Sequence, residues 1–375
     1  MAMVLARGTR LGLSFPHCIA KMNSLRCEML RLIVVAVLGA VLPVAPAAAQ
    51  ESAFVFEELP PHLQSRVDLQ DSQLLLEAIS LPDDFFIAAL KTWDTSAPIR
   101  VCFFGGPRDL RARIASVANG WTQQGAYVPL DFGDMGDPRI CAPTTRSEIR
   151  VGFAYRGYWS LVGTDSANLA PQAEQTMNFS LFDVNPPPEP NFSQTVLHEF
   201  GHALGFRHEH QGYLAPCADE FNWDAVYAYL SGPPNSWPRE KIDHNLRPIA
   251  AGNNNSDFFD VHSVMLYAFP KQFYNAGVAA ECFSTGNFML SEGDILGLRK
   301  YYPADIEANF AIRAGTLQAY SEAVDALELT DTQKTLATLR ATAIFDPQSF
   351  DSAVGGNELT FRREMLNNLI VMPGN

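Results

Sequence analysis

The sequence predicts an α+β protein. Before residue 182, short segments alternate apolar and polar residues as strands do. Two segments carry apolar residues at helical spacing, one over 109–124 and one opening near Ser193. Beyond residue 209 the chain turns to polar loops and short helices.

The first 49 residues read as an export signal. Arg26 and Arg31 precede an apolar run from Leu32 to Val44, and Ala47-Ala48-Ala49 offers a small-residue cleavage site before Gln50. That run is shorter than the ~20 residues a membrane helix needs, so no membrane association is expected after its removal. The start codon stays open between Met1, Met22 and Met29. Secretion, extracellular or periplasmic, follows as an expectation. Residues 50–92 are acidic, with helical periodicity around Leu74–Ile79 and Phe85–Leu90. They form either a removable pro-segment or an amino-terminal extension.

Residues 93–303 are expected to form the principal domain. Ile99, Val101 and Phe103 alternate with Arg100 and Cys102, a strand signature broken by Gly105-Gly106-Pro107. Leu110, Ile114, Val117 and Trp121 place a helix over 109–124. Strands follow at 128–132, 149–155 and 176–182, with a turn and extended segment at 157–163 between the last two. Ser193 is read as the N-cap of the next helix, Asn222 to Leu230 as a short helix, and Ser291 as the cap of a helix ending near Tyr302. Residues 304–375 read as a helical extension. Thr330 and Gln333 form a capping box before Leu336, Leu339 and Ala343, and a further helix is expected over 362–369.

The helix opening near Ser193 carries the chemistry. Residues 198–208 read HEFGHALGFRH. His198 and His202, four apart, share a helical face, and Glu199 sits one position round. Were the helix continuous, His208 would lie roughly 9 Å further on and about 240° round, out of reach of a shared ion. The helix must therefore stop, and Gly205 stands where a positive φ is needed. Three imidazoles with a fourth position open describe a catalytic zinc site rather than a closed structural one. The bland alternative is an amphipathic core helix with satisfied histidines.

HEFGHALGFRHEH followed downstream by Ser263-Val264-Met265-Leu266-Tyr267 resembles the astacin-type branch of the metzincin zinc endopeptidases. The resemblance covers roughly residues 97–302. It implies a metzincin-like catalytic domain: a twisted mixed sheet with a backing helix and an active-site helix, above a mostly irregular or helical lower lobe. It further implies one catalytic Zn(2+) on His198, His202 and His208, with Glu199 as general base toward a zinc-bound water. Tyr267 is implied as an oxyanion donor, Met265 as the floor of the site, and Glu209 as a contact for a mature amino terminus. Thr176, Met177, Asn178 and Phe179 are implied as the strand edge along which substrate pairs. Related proteases keep themselves latent with a cysteine or aspartate on the zinc. No cysteine lies between residues 50 and 101, and the usual aspartate motif is not evident.

Formal net charge is −14; residues 1–49 carry a net +4, so their removal leaves −18. That balance argues against nucleic acid as a partner and suits a soluble exported monomer acting on protein or peptide. Four cysteines remain after the signal: Cys102, Cys141, Cys217 and Cys282. Exported chains pair such cysteines; three connectivities exist, and Cys102–Cys141 with Cys217–Cys282 keeps each bridge within one half. Secreted zinc-dependent endopeptidase is thus the leading reading. A secreted zinc-binding homologue serving as a protein-binding module and a zinc hydrolase of non-peptide amides are the alternatives.

Overall fold

A computed structural model describes residues 56–74, 89–249 and 258–345. The expected signal run, the helix at 362–369 and most of the periodic segments at 74–90 lie outside those residues. Among the described residues no helix is long and apolar enough to cross a membrane.

In chain order the elements are α1 (Pro61–Gln73), β1 (Ile99–Phe103), α2 (Arg108–Ala118), β2 (Leu130–Asp131), β3 (Gly133–Asp134), β4 (Asp137–Pro138), β5 (Ile149–Gly152), β6 (Tyr158–Ser160), α3 (Asp165–Asn168), β7 (Met177–Phe179) and α4 (Asn191–Ala203). Then follow α5 (Cys217–Glu220), α6 (Trp223–Leu230), α7 (Arg239–Leu246), α8 (Glu292–Tyr301), α9 (Ile306–Ala326) and α10 (Asp331–Phe345). A five-stranded sheet runs β2-β1-β5-β7-β6, parallel except for β6, which is antiparallel to β7. The expected class, a mixed sheet with helices, is observed.

Alternation along β1 sorts its two faces. Ile99, Val101 and Phe103 join a buried cluster with Ile114 of α2, Val196 and Phe200 of α4, and Met265. Cys102 points the other way and bridges to Cys141, Cα to Cα 4.9 Å. On β5, Arg150 is fully buried on the face opposite Ile149 and Val151. Its guanidinium donates to the carbonyls of Ser147, Ser166, Ala170 and Glu174, so a buried cation is satisfied by backbone oxygens and ties down the loop before β7.

The strands expected at 128–132, 149–155 and 176–182 are shorter than expected, Leu130–Asp131, Ile149–Gly152 and Met177–Phe179, and two helix boundaries and one helix face also differ. The helix expected over 109–124 ends at Ala118, and a separate 3-10 turn spans Trp121–Gln123. The break lets Trp121 drop into the core with its indole N–H donating to Leu197 O at 3.0 Å. Second, α4 begins before Ser193, with Pro190 at its N-cap. The Glu189 carboxylate accepts from the Ser193 N–H instead, meeting the need of a first-turn donor from outside the helix. Third, the α10 face that is buried carries Ala337, Ala341 and Ile344, whereas Leu339 is 41% exposed. The alanines let α10 close on Tyr320 and Val324 of α9. The Thr330–Gln333 capping pair is reciprocal, as expected.

A second buried cluster holds Cys217, Val226, Leu230, Trp237, Ile242, Leu266, Phe269 and Phe273. Cys217 bridges to Cys282, Cα to Cα 5.1 Å. The carboxy-terminal helices pack on the amino-terminal segment: Leu74 and Leu90 share a cluster with Tyr320, Val324 and Ile344. Tyr320 Oη donates to Leu74 O at 3.0 Å, and Arg313 donates to Thr92 O.

Candidate metal centre

The local path of α4 brings its histidines together. His198 and His202, one turn apart and buried, have ring centroids 4.8 Å apart. The helix ends in a Schellman turn: Gly205 N–H donates to His202 O at 2.8 Å and Phe206 N–H to Gly201 O at 3.0 Å, with Gly205 at φ +103°. The reversal returns His208, whose Nε2 lies 3.1 Å from His202 Nε2. Nitrogens bound at about 2.0–2.1 Å to one tetrahedral zinc would stand about 3.3 Å apart, so the spacing suits a shared ion.

The outer nitrogens are already assigned. His198 Nδ1 and Val264 O are 2.8 Å apart, as are His202 Nδ1 and Phe206 O. A protonated Nδ1 held by a carbonyl leaves Nε2 with its lone pair free for a metal. The turn after Gly205 thus supplies both the third histidine and the carbonyl that orients the second. Burial pushes His208 down to about 4, keeping its imidazole in the neutral, ligating form.

Beneath these rings lies Met265. A Cβ added at Gly201 would run into Met265 Sδ and come within 3.1 Å of the Trp121 ring. Gly201→Ala is expected to cost about 1–3 kcal/mol by overpacking, read as a lower urea midpoint. An unchanged midpoint would show that the floor is not tightly packed there. The turn carrying Met265 is clamped by Asp294, which accepts from Ser263 Oγ at 2.7 Å and from Val264 N–H at 2.9 Å. Asp294 also completes the capping box of α8 with Ser291. One carboxylate therefore ties the start of α8 to Val264, the residue whose carbonyl orients His198. The sequence marks Ser291 as the cap; it shows neither the part of Asp294 in the box nor this second use.

Glu199 is buried beside the ligands and is not among the converging donors. Burial first, then the neighbouring Glu57 carboxylate, push its carboxyl well above the usual range. The Tyr267 ring lies 4.4 Å from that of His208 and 5.3 Å from that of His198. Glu209 is buried, its Oε1 accepting from Asp260 N–H at 2.8 Å. His210 is buried, with Nε2 2.9 Å from Asn245 O.

The substrate-edge expectation is corrected. Thr176, Met177, Asn178 and Phe179 are all fully buried, and β7 is flanked by β5 on one side and β6 on the other. The end strand of the sheet is β6, Tyr158–Ser160, because the chain doubles back antiparallel before β7 and takes the outer place. Asn178 Nδ2 donates to Tyr155 O at 2.9 Å and is also bonded to Gly157 O; it holds that loop.

Sequence reasoning missed Glu57. Its carboxylate lies 2.9 Å from His198 Nε2 and 3.3 Å from the Nε2 atoms of His202 and His208. Glu57, His198, His202 and His208 are the one group of metal-type donors among the described residues whose atoms converge, all within 4.8 Å of one another. Burial works to raise the Glu57 carboxyl, but the neighbouring imidazoles, His198 foremost, outweigh it and hold it well below the usual range. Burial first, then the nearby Glu57 carboxylate, also push the Tyr267 hydroxyl well above its usual value. No motif marks it, and Glu58 beside it is chemically identical.

No protein-family model and no curated protein matches the chain. Among solved structures, one of myroilysin is 31% identical with a TM-score of 0.50, covering 58% of this chain and 98% of that one. The chain belongs to the same family as myroilysin. A second myroilysin structure is 29% identical, with a TM-score of 0.41, over 61% of this chain and 93% of its own. High choriolytic enzyme 1, a hatching enzyme zinc-protease from Oryzias latipes (Medaka fish), is 16% identical, with a TM-score of 0.35, over 56% of this chain and 96% of its own. Membership of the family shared with myroilysin supports a metzincin-like protease.

Proposed function

We propose that the chain is a secreted zinc endopeptidase and that this structure is its latent form, in which residues 50–92 act as a pro-segment and Glu57 stands where substrate binds. One observation carries this: the Glu57 carboxylate meets His198, His202, His208, Glu199 and Tyr267 together. Those are the groups that hydrolysis of a peptide bond would need at one place.

His198, His202 and His208 would hold the zinc; when bound, it supplies Lewis acidity toward the scissile carbonyl and lowers the pKa of a water. Glu199 takes the proton of the attacking water and delivers it to the leaving amine, work that a carboxylate beside the ligand set but outside it can do. Tyr267 donates a hydrogen bond to the oxyanion, a contribution of about 3–4 kcal/mol in comparable acyl transfer. Met265 does no chemistry; it supports the ligand helix through Gly201. The amino-terminal segment reaches beyond Glu57: α1 lays Leu63 against Trp159 of β6 and Leu161, next to the sheet edge where an extended peptide would add.

The test is hydrolysis of casein by the zinc-loaded chain after limited proteolysis of its amino-terminal segment. Activity is expected to disappear with 1,10-phenanthroline and to return with added zinc. One bound zinc with no peptidase activity, whatever the state of that segment, would defeat the proposal.

A further inference from the structure

The segment that brings Glu57 to the histidines also fills a pocket beside them. Phe56 is 2% exposed, and its ring centroid lies 4.7 Å from that of Tyr267, 4.9 Å from Trp237, 6.1 Å from Phe269 and 6.3 Å from His210. Its backbone N–H donates to Asn235 Oδ1 at 3.2 Å. Rings line the pocket on several sides, in edge and tilted contacts of the kind aromatic pairs prefer. Tyr267 is shared between the pocket and the metal centre: its ring lies 4.7 Å from that of Phe56 and 4.4 Å from that of His208.

We propose that this is the principal specificity pocket of the cleft and that it takes an aromatic side chain of the peptide substrate, with Phe56 occupying it in the latent chain. The inference rests on the zinc-peptidase reading above. Phe56 and Glu57 are adjacent in the chain, so when one lies at the ligand cluster the other lies in the pocket. A substrate residue placed as Phe56 is would therefore adjoin the reacting bond. Burying a whole ring there rather than a methyl favours aromatic over alanine substrates by about 30-fold. The other flank discriminates less. Glu58 pairs with Lys241 and accepts from Trp237 Nε1 at 3.3 Å, but its side chain is 50% exposed, and solvent screens such pairs to a few-fold effect at most. Selection is thus expected for an aromatic residue and only weakly for an acid beside it.

The experiment uses the full chain carrying Phe56→Ala and Glu57→Ala, loaded with zinc and incubated with a mixed peptide library whose products are sequenced by mass spectrometry. One position next to the cleaved bond is expected to hold Phe, Tyr or Trp about 30-fold more often than Ala. Trp237→Ala in the same background is expected to lower that enrichment several-fold; should it not fold, Phe269→Leu probes the same wall. Cleavage without aromatic enrichment at any position overturns the pocket and leaves the peptidase reading intact. Enrichment untouched by either wall variant places the specificity elsewhere and also overturns the pocket. No cleavage of any peptide overturns the peptidase reading, and this inference with it.

Discussion

Glu199→Gln is expected to lower kcat by about 10²- to 10⁴-fold while zinc content and fold stay as they are. Glutamine keeps the size of the buried side chain but cannot take a proton from water. Glu199 is outside the converging donor set, so the substitution leaves all three imidazoles, and the carbonyl partners of His198 and His202, in place. The measurement is kcat on a fluorogenic peptide beside metal analysis of the same preparation. Loss of zinc together with activity would mean that Glu199 serves the ion. Full activity would remove it from the chemistry.

Glu57→Ala is expected to raise the peptidase activity of the uncleaved full-length chain by at least about 10-fold. A contact to a charged group contributes about 1.5–3 kcal/mol, and this carboxylate makes several at one point. Release by this single change is incomplete, because Phe56 still anchors the segment through its buried ring, a contribution of about 2–3 kcal/mol. Hydrolysis of a small fluorogenic peptide, with gel analysis showing that the chain stays intact, reads the effect. Activity equal to that of the parent chain would show that Glu57 does not hold the site closed.

The two changes act at neighbouring atoms but were unequally legible. Glu199 belongs to a local pattern, and the i to i+4 geometry that sets His198 beside His202 is built into any α-helix. The need for a reversal at Gly205 follows from the same geometry, and the observed turn meets it. Both disulfide pairs observed are those that keep each bridge within one half of the chain. The sheet edge was not legible. Strand patterns at 149–155 and 176–182 give the existence of strands but not their order. The β6 strand falls within the extended segment expected at 157–163, but its three residues carry no mark of its place at the sheet edge. The break after Ala118 was hidden because Trp121 sits at a spacing that a continuous helix would also give.

By itself, then, the sequence determined the ligand-bearing helix, its glycine stop, the neighbouring carboxylate and the mixed class of the fold, since each depends on residues within a turn or two of one another. Tertiary structure alone decided that Glu57 reaches the histidines, that Phe56 fills the aromatic pocket, that Asp294 steadies the peptide behind His198, and that β6 rather than β7 ends the sheet. Those contacts join segments far apart along the chain. Their partners are selected by packing and by the satisfaction of buried polar groups, and neither leaves a periodic mark on the local sequence.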